Sequence, residues 1–158
     1  MILVDTCVLT RLADLNSFDR PAARRAVLAI REAGENLVIV PQNICEFWAV
    51  ASRKTGSPTK GGENGLGMTI PNIVQWIEWF KRLCTLLPES TDVPAIWESL
   101  GKRHIPKGTA VYDTRLVAFM QVYKINHLLT FNTRHFKQYP ITLINPKSVG
   151  TVWLLTGS

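Results

Sequence analysis

The sequence predicts an α/β fold, specifically a three-layer α/β/α sandwich with a mainly parallel central sheet. Short apolar runs alternate with helical patterns along the chain, and the first two runs, ILV and LVIV, show no polar alternation. Strands of this kind are typical of a parallel sheet that helices cover on both faces. A chain of 158 residues is long enough to bury a core of its own, so we expect a single domain over residues 1–158.

Proline and glycine mark several boundaries in the first third of the chain. Pro21 suits the first turn of a helix, Gly34 suits its end, and Pro41 closes the second apolar run. The helix that follows Pro41 is apolar nearly all round, so we expect it to be buried. In chain order, the predicted elements here are a strand at 2–4, helices at 7–15 and 22–33, a strand at 36–41 and a helix at 43–52.

A glycine-rich stretch separates this part of the chain from the rest. Residues 53–67 hold five of the ten glycines and predict a flexible loop. Further on, Thr109 is suited to cap the start of a helix. In chain order, the predicted elements after the loop are a helix at 70–83, a strand at 85–87, helices at 93–103 and 109–124, and strands at 126–131 and 142–145.

The composition favours a polyanionic partner and a reducing compartment. The net charge is +6, which favours association with a nucleic acid. Cys7, Cys45 and Cys84 have apolar neighbours and no C-x-x-C spacing, so we expect buried thiols rather than disulfides or a zinc site. The N-terminus lacks a signal-peptide pattern, and no segment is long enough to span a membrane. We therefore expect a cytoplasmic protein.

Asp5 is a carboxylate at the end of the first predicted strand. Ligand sites of parallel α/β folds lie outside the carboxyl ends of the strands, which favours a functional role. An aspartate at this position can equally cap the helix that follows it. Both interpretations are open at this point.

Two further acids lie in apolar surroundings. Glu46 is the only charged residue between Val38 and Ser52, and Asp113 shares a helical face with apolar residues three, four and seven positions later, whereas Arg115 points elsewhere. Burying an unpaired carboxylate costs several kcal/mol, so each acid needs a cationic side chain or a metal ion. Three separate buried ion pairs are one alternative. A carboxylate cluster that selects a hard divalent cation, Mg²⁺ or Mn²⁺, is the other.

Four segments together resemble the PIN domains of VapC-type ribonuclease toxins. They are LVDTCVL, NICEFWAV, AVYDTRLVAF and LLTFNTRHF, in this order, and the resemblance covers nearly the whole chain. It implies an α/β/α nuclease that cuts RNA phosphodiester bonds and is the toxin of a toxin–antitoxin pair. It further implies a small antitoxin partner, a homodimer, and Asp5, Glu46 and Asp113 as catalytic ligands for Mg²⁺, with Mn²⁺ as a substitute.

Two more positions match the family pattern, and a third departs from it. Thr6 and Asn132 match polar positions of the family that hold an acid in place or contact the substrate. Where many members carry a fourth aspartate, this chain has His135. Imidazole is a poorer ligand for Mg²⁺ than for Mn²⁺, so His135 is a candidate fourth ligand whose presence weakens the second metal position. The alternatives are that it binds a phosphate when protonated, shuttles a proton, or is a surface histidine of a degenerate site.

The basic residues near the glycine-rich loop and the predicted site are candidates to hold the RNA backbone. These residues are Arg53, Lys54, Lys60, Arg115 and Arg134. Two alternatives to a nuclease follow from the same residues. One is a non-catalytic RNA-binding or scaffold PIN domain with a degenerate site. The other is a phosphotransfer domain of the receiver type, which is disfavoured because only one acid follows the first strand.

Overall fold

The computed structural model describes residues 1–55 and 65–149. The centre of the predicted glycine-rich loop and the C-terminal tail lie outside these residues. Within the described residues, the strands are β1 (Ile2–Val4), β2 (Leu37–Ile39), β3 (Thr85–Leu86), β4 (His127–Leu129) and β5 (Thr142–Ile144). The helices are α1 (Thr6–Ala13), α2 (Arg20–Glu32), α3 (Pro41–Ser52), α4 (Ile70–Leu83), α5 (Val93–His104) and α6 (Ala110–Val122), with a 3₁₀ turn at Thr133–Phe136.

The strands form one sheet in the order β3-β2-β1-β4-β5, and every neighbouring pair is parallel. In chain order, β2 and β3 are added on one side of β1, and β4 and β5 are then added on its other side. The strand order therefore reverses between β1 and β4. In open parallel sheets a crevice forms at this point, outside the carboxyl ends of the strands.

Helices cover both faces of the sheet. Successive side chains of a strand point to opposite faces, so Ile2 and Val4 of β1 pack with α1 to α4, while Leu3 packs with α5 and α6. All three side chains are at most 2% exposed. The predicted α/β/α sandwich with a parallel sheet is confirmed.

The third helix differs from its prediction in both its start and its exposure. Pro41 begins α3 instead of closing β2, because a proline at the first helical position loses no intrahelical hydrogen bond. Asn43 Oδ1 accepts from the Val40 N–H at 2.8 Å, which supports this start. Only one face of α3 is buried: Trp48 is 38% exposed and Cys45 is also exposed. The prediction that this helix and its thiol are buried is wrong.

The described ends of the glycine-rich stretch return to the end of α3. The Gly67 N–H donates to Arg53 O at 2.7 Å, and the Met68 N–H donates to Ala51 O at 2.8 Å. The chain thus leaves α3 and comes back to the same place before α4. No helix in the described part of the chain has the length and apolar character needed to cross a bilayer.

Candidate active site

Asp5 lies at the point where the strand order reverses. It directly follows β1, and its N–H donates to Leu129 O of β4 at 3.0 Å. Thr130 directly follows β4 and is fully buried. Because β1 and β4 are parallel neighbours with Val4 opposite Leu129, these two polar residues leave the sheet side by side. The first predicted site residue therefore lies in the crevice that the topology creates.

The Asp5 carboxylate is held by three donors. Oδ2 accepts from Thr130 Oγ1 at 2.6 Å and from Cys7 Sγ at 3.1 Å, and Oδ1 accepts from the Cys7 N–H at 3.4 Å. The last contact caps α1, so the capping interpretation is confirmed, and the carboxylate takes part in a wider polar network as well. The side chain is 8% exposed. Asp5 is therefore fixed in one orientation at the rim of the core.

Glu46 reaches the same region from α3. Its Oε2 accepts from Thr6 Oγ1 at 2.5 Å, and its Oε1 accepts from Gln42 Nε2 at 2.7 Å. Asn43 Nδ2 in turn donates to Thr6 Oγ1 at 3.1 Å. Thr6, the residue directly after Asp5, thus links the start of α1 to the Glu46 carboxylate.

Asp113 lies in the first turn of α6, and its partner is His135. The distance from His135 Nδ1 to Asp113 Oδ2 is 3.4 Å, and the two side chains are 40% and 26% exposed. The ring is presented by the 3₁₀ turn, in which the His135 N–H donates to Asn132 O at 3.0 Å. The position that departs from the family pattern therefore lies against one of the three predicted acids.

The three carboxylates share one electrostatic environment. Burial raises the pKa of Asp113 to about 6, the charges of Asp5 and Glu46 add to the rise, and His135 opposes it. Burial also raises the pKa of Glu46. The hydrogen bonds from Thr6 and Gln42 lower this pKa, the charge of Asp5 raises it further, and the charge of Arg115 lowers it. The three carboxylates therefore concentrate negative charge in one crevice, and a bound cation would stabilise their ionised forms.

A divalent cation is consistent with the donor chemistry. In the part of the chain that the structure describes, neither Asp5 nor Glu46 forms a salt bridge with a lysine or arginine. This finding disfavours the alternative of three separate ion pairs. Carboxylate oxygens are the ligands that Mg²⁺ and Mn²⁺ prefer. Within residues 1–55 and 65–149, however, no three Asp, Glu, His or Cys side chains form a ready-made metal-binding group, so the ligand roles stay predictions.

The structure describes all but one of the other predicted site residues. Arg53, Lys54 and Arg134 are exposed, as RNA contacts require, Asn132 is half-buried at the start of the 3₁₀ turn, and Lys60 lies outside the described residues. Arg115 does not point away from the acids. Its Nη1 donates to Gln42 Oε1 at 3.1 Å and its Nη2 donates to Glu89 Oε1 at 2.9 Å, so one glutamine connects it to Glu46.

Sequence reasoning missed four residues that hold the acids. They are Cys7, Gln42, Asn43 and Thr130, and each donates to an acid or to Thr6. Thr130 had a usable signal, since it follows a strand in the same way as Asp5 does. The two amides had a weaker signal, namely polar residues at the start of a helix of otherwise apolar character.

The fold and the acids at the point of strand reversal define a parallel α/β/α domain with an acidic crevice. The chain belongs to the PIN domain family, whose family model matches residues 2–141. The predicted family is confirmed. The comparison with curated proteins found no match.

Solved structures with the same fold include three proteins of low sequence identity. A chain of a toxin–antitoxin complex from Klebsiella pneumoniae is 18% identical, with a TM-score of 0.62 over 92% of this chain and 98% of that one. VapC20 of Mycobacterium tuberculosis, described as a sarcin–ricin loop cleaving toxin, is 14% identical, with a TM-score of 0.60 over 90% and 99%. A chain of FitAB, bound to an IR36 DNA fragment, is 20% identical, with a TM-score of 0.60 over 93% and 96%.

Proposed function

We propose that this protein is a metal-dependent endoribonuclease and the toxin of a toxin–antitoxin pair. One arrangement carries the proposal: Asp5, Glu46 and Asp113 come from three separate elements of a PIN fold and are linked by hydrogen bonds. Thr6, beside Asp5, donates to Glu46, and Gln42 joins Glu46 to the backbone beside Asp113. Hydrolysis of a phosphodiester requires stabilisation of negative charge on the phosphate, and carboxylates can supply this only through a bound cation. The net charge of +6 favours a polyanionic substrate.

Asp5, Glu46 and Asp113 are the residues that would hold Mg²⁺, with His135 as a candidate fourth ligand. When bound, such an ion supplies Lewis acidity and lowers the pKa of a coordinated water. The remaining polar residues orient the acids: Thr130 holds Asp5, and Thr6 holds Glu46. Outer contacts of this type typically change metal affinity by about 10- to 100-fold when removed.

The proposed partners are RNA, a small antitoxin and a second copy of the chain. Two structural neighbours support the antitoxin: one is a chain of a toxin–antitoxin complex, and the other is described as a toxin. We place the RNA backbone across the exposed cations Arg53, Lys54 and Arg134. Contacts of cations with phosphate are sensitive to salt and carry little sequence information. A cytoplasmic location follows from this role.

The direct test is cleavage of a panel of end-labelled single-stranded and hairpin RNAs. Chelator-treated protein should be inactive in EDTA and should regain activity when Mg²⁺ or Mn²⁺ is added. The Asp5→Asn variant, purified in parallel and assayed in the same buffers, controls for contaminating nuclease. Cleavage that continues unchanged in EDTA, or that never occurs in either metal, contradicts the proposal.

His135 favours one second candidate, a PIN domain that binds RNA without cleaving it. The histidine replaces an acid of the family pattern, and it pairs with Asp113, one of the three predicted metal ligands. A domain of this type would bind the same RNA panel in a gel-shift assay and leave it intact in both metals. Cleavage of the RNA panel in the two metals therefore distinguishes the nuclease from the RNA-binding domain.

A further inference from the structure

We propose that Gln42 and Arg115 are positioning residues of this site. The Gln42 amide holds Glu46 at a set distance from Asp113, and Arg115 holds that amide in the required orientation. This inference rests on the proposed function, because it concerns how Glu46 is presented to a hard divalent cation.

Gln42 joins the two helices that carry the later acids. It lies in the first turn of α3, four residues before Glu46, so both side chains share one face of the helix. Its Nε2 donates to Glu46 Oε1 at 2.7 Å and to Tyr112 O of α6 at 2.9 Å. Tyr112 directly precedes Asp113, and the Gln42 side chain is buried at 7% exposure. One buried NH₂ group therefore connects the Glu46 carboxylate to the backbone beside Asp113.

Arg115 decides which way the Gln42 amide faces. A guanidinium can donate hydrogen bonds but cannot accept them, so Arg115 Nη1 requires the amide oxygen of Gln42, which it contacts at 3.1 Å. The amide NH₂ then has to face Glu46. In the flipped amide, two donors would meet at Arg115 and an oxygen would face the Glu46 carboxylate. Arg115 therefore selects the orientation in which Gln42 can hold Glu46.

Arg115 is itself fixed on two further sides. Its Nη2 donates to Glu89 Oε1 at 2.9 Å, and its guanidinium lies over the Phe119 ring at 4.9 Å from the centroid. The Arg115 guanidinium thus contacts Gln42, Glu89 and Phe119. Its predicted role as a contact for the RNA backbone is therefore reassigned to a role that acts through Gln42.

The test compares Mn²⁺ affinity among variants of the full chain by electron paramagnetic resonance on chelator-treated protein. Gln42→Met keeps the side-chain length and removes every hydrogen bond, so the Kd for Mn²⁺ should rise about tenfold, the usual scale for an outer contact. Gln121→Met changes an exposed glutamine of α6 in the same way and should leave the Kd unchanged. Val27→Ala destabilises the core away from the site and should also leave it unchanged.

A double-variant cycle tests the role of Arg115. Arg115→Met should raise the Kd less than Gln42→Met does, and the variant that carries both changes should bind Mn²⁺ no more weakly than Gln42→Met alone, because one residue acts through the other. In metal-free buffer, Arg115→Met should bind the RNA panel like the parent. Additive effects on the Kd, or a selective loss of RNA affinity, would overturn the positioning role of Arg115.

The outcomes separate this inference from the proposed function. If the parent binds Mn²⁺ and Gln42→Met binds it equally tightly, the positioning inference fails and the proposed function stands. If the parent itself shows no Mn²⁺ binding at millimolar metal, both fail together. If Val27→Ala loses affinity as much as Gln42→Met does, the effect reflects general stability and the inference is overturned.

Discussion

The imidazole of His135 lies against the carboxylate of Asp113, with 3.4 Å between Nδ1 and Oδ2. The ring comes from a 3₁₀ turn and the acid from the first turn of α6. Two elements distant in the chain therefore meet at the exposed side of the crevice. In the proposed metal site, a nitrogen at this position, where a fourth acid would supply oxygen, would change both the charge of the site and its preference among metals.

We expect the protein to be more active with Mn²⁺ than with Mg²⁺, because Mn²⁺ accepts nitrogen ligands more readily. His135→Asp should narrow the difference by improving the reaction in Mg²⁺, and His135→Ala should slow the reaction in Mn²⁺. Initial rates of RNA cleavage at matched metal concentrations provide the measurement. Equal rates for His135→Ala and the parent in both metals would show that the ring takes no part.

The raised pKa of Asp113 predicts how the stability of the metal-free protein depends on pH. The folded protein holds the Asp113 proton up to about pH 6, whereas the unfolded chain releases it near the ordinary value of about 3.9. Between these values the folded state binds more protons, so the free energy of unfolding should fall as pH rises from about 4 to 6. Asp113→Asn should lack this contribution. Urea unfolding of both proteins at several pH values measures the difference.

The proton on the Asp113 carboxyl group should compete with Mn²⁺ for that group. A carboxylate must be ionised to act as a ligand, so the affinity for Mn²⁺ should fall as pH is lowered through about 6, where Asp113 takes up its proton. An affinity for Mn²⁺ that stays constant from pH 7 to about pH 5 would argue against Asp113 as a ligand.

Thr130→Val should loosen Asp5 without changing the shape of the core. The substitution removes the 2.6 Å hydrogen bond to Asp5 Oδ2 and the acceptor of the Asn132 N–H. A hydrogen bond to a charged group contributes about 1.5–3 kcal/mol to stability, so urea unfolding should show a loss on this scale. Thr142→Val, at an exposed position of β5, is the matched control. A loss no larger than that of the control would mean that Thr130 does not hold Asp5.

Mg²⁺ or Mn²⁺ should raise the Tm of chelator-treated protein, because a ligand that binds only the folded state stabilises it by mass action. The rise should largely disappear in Glu46→Gln, which keeps the shape of the side chain and removes its charge. Glu32→Gln, at the exposed end of α2, should behave like the parent. A Tm that does not respond to millimolar metal in the parent would contradict a metal site.

The fold was predictable because its signals are local. β1 and β2 are short apolar runs. The helices have their own patterns, so α4 was predicted at its observed bounds, Ile70–Leu83. The acids were predictable as charges in apolar surroundings. Thr130 could be singled out only by its place after a strand. Its role and that of Gln42 could not be predicted, since they depend on the pairing of β1 with β4 and on the contact of α3 with α6. Such contacts join residues up to 125 positions apart, so no local pattern of residues along the sequence reveals them.

The most direct test of a carboxylate-held metal site is RNA cleavage by Asp5→Asn under single-turnover conditions in Mg²⁺ and Mn²⁺. Asparagine caps a helix as well as aspartate does, so α1 should form normally. The relief of repulsion from Glu46 and Asp113 opposes the weakening of the hydrogen bonds from Thr130 and Cys7, so the variant should stay folded. Cleavage should fall by at least about 100-fold, since metal ligation contributes several kcal/mol to the transition state. Asp92→Asn, at an exposed aspartate before α5, should cleave like the parent. Cleavage by folded Asp5→Asn at the parental rate would contradict the site proposed for this protein.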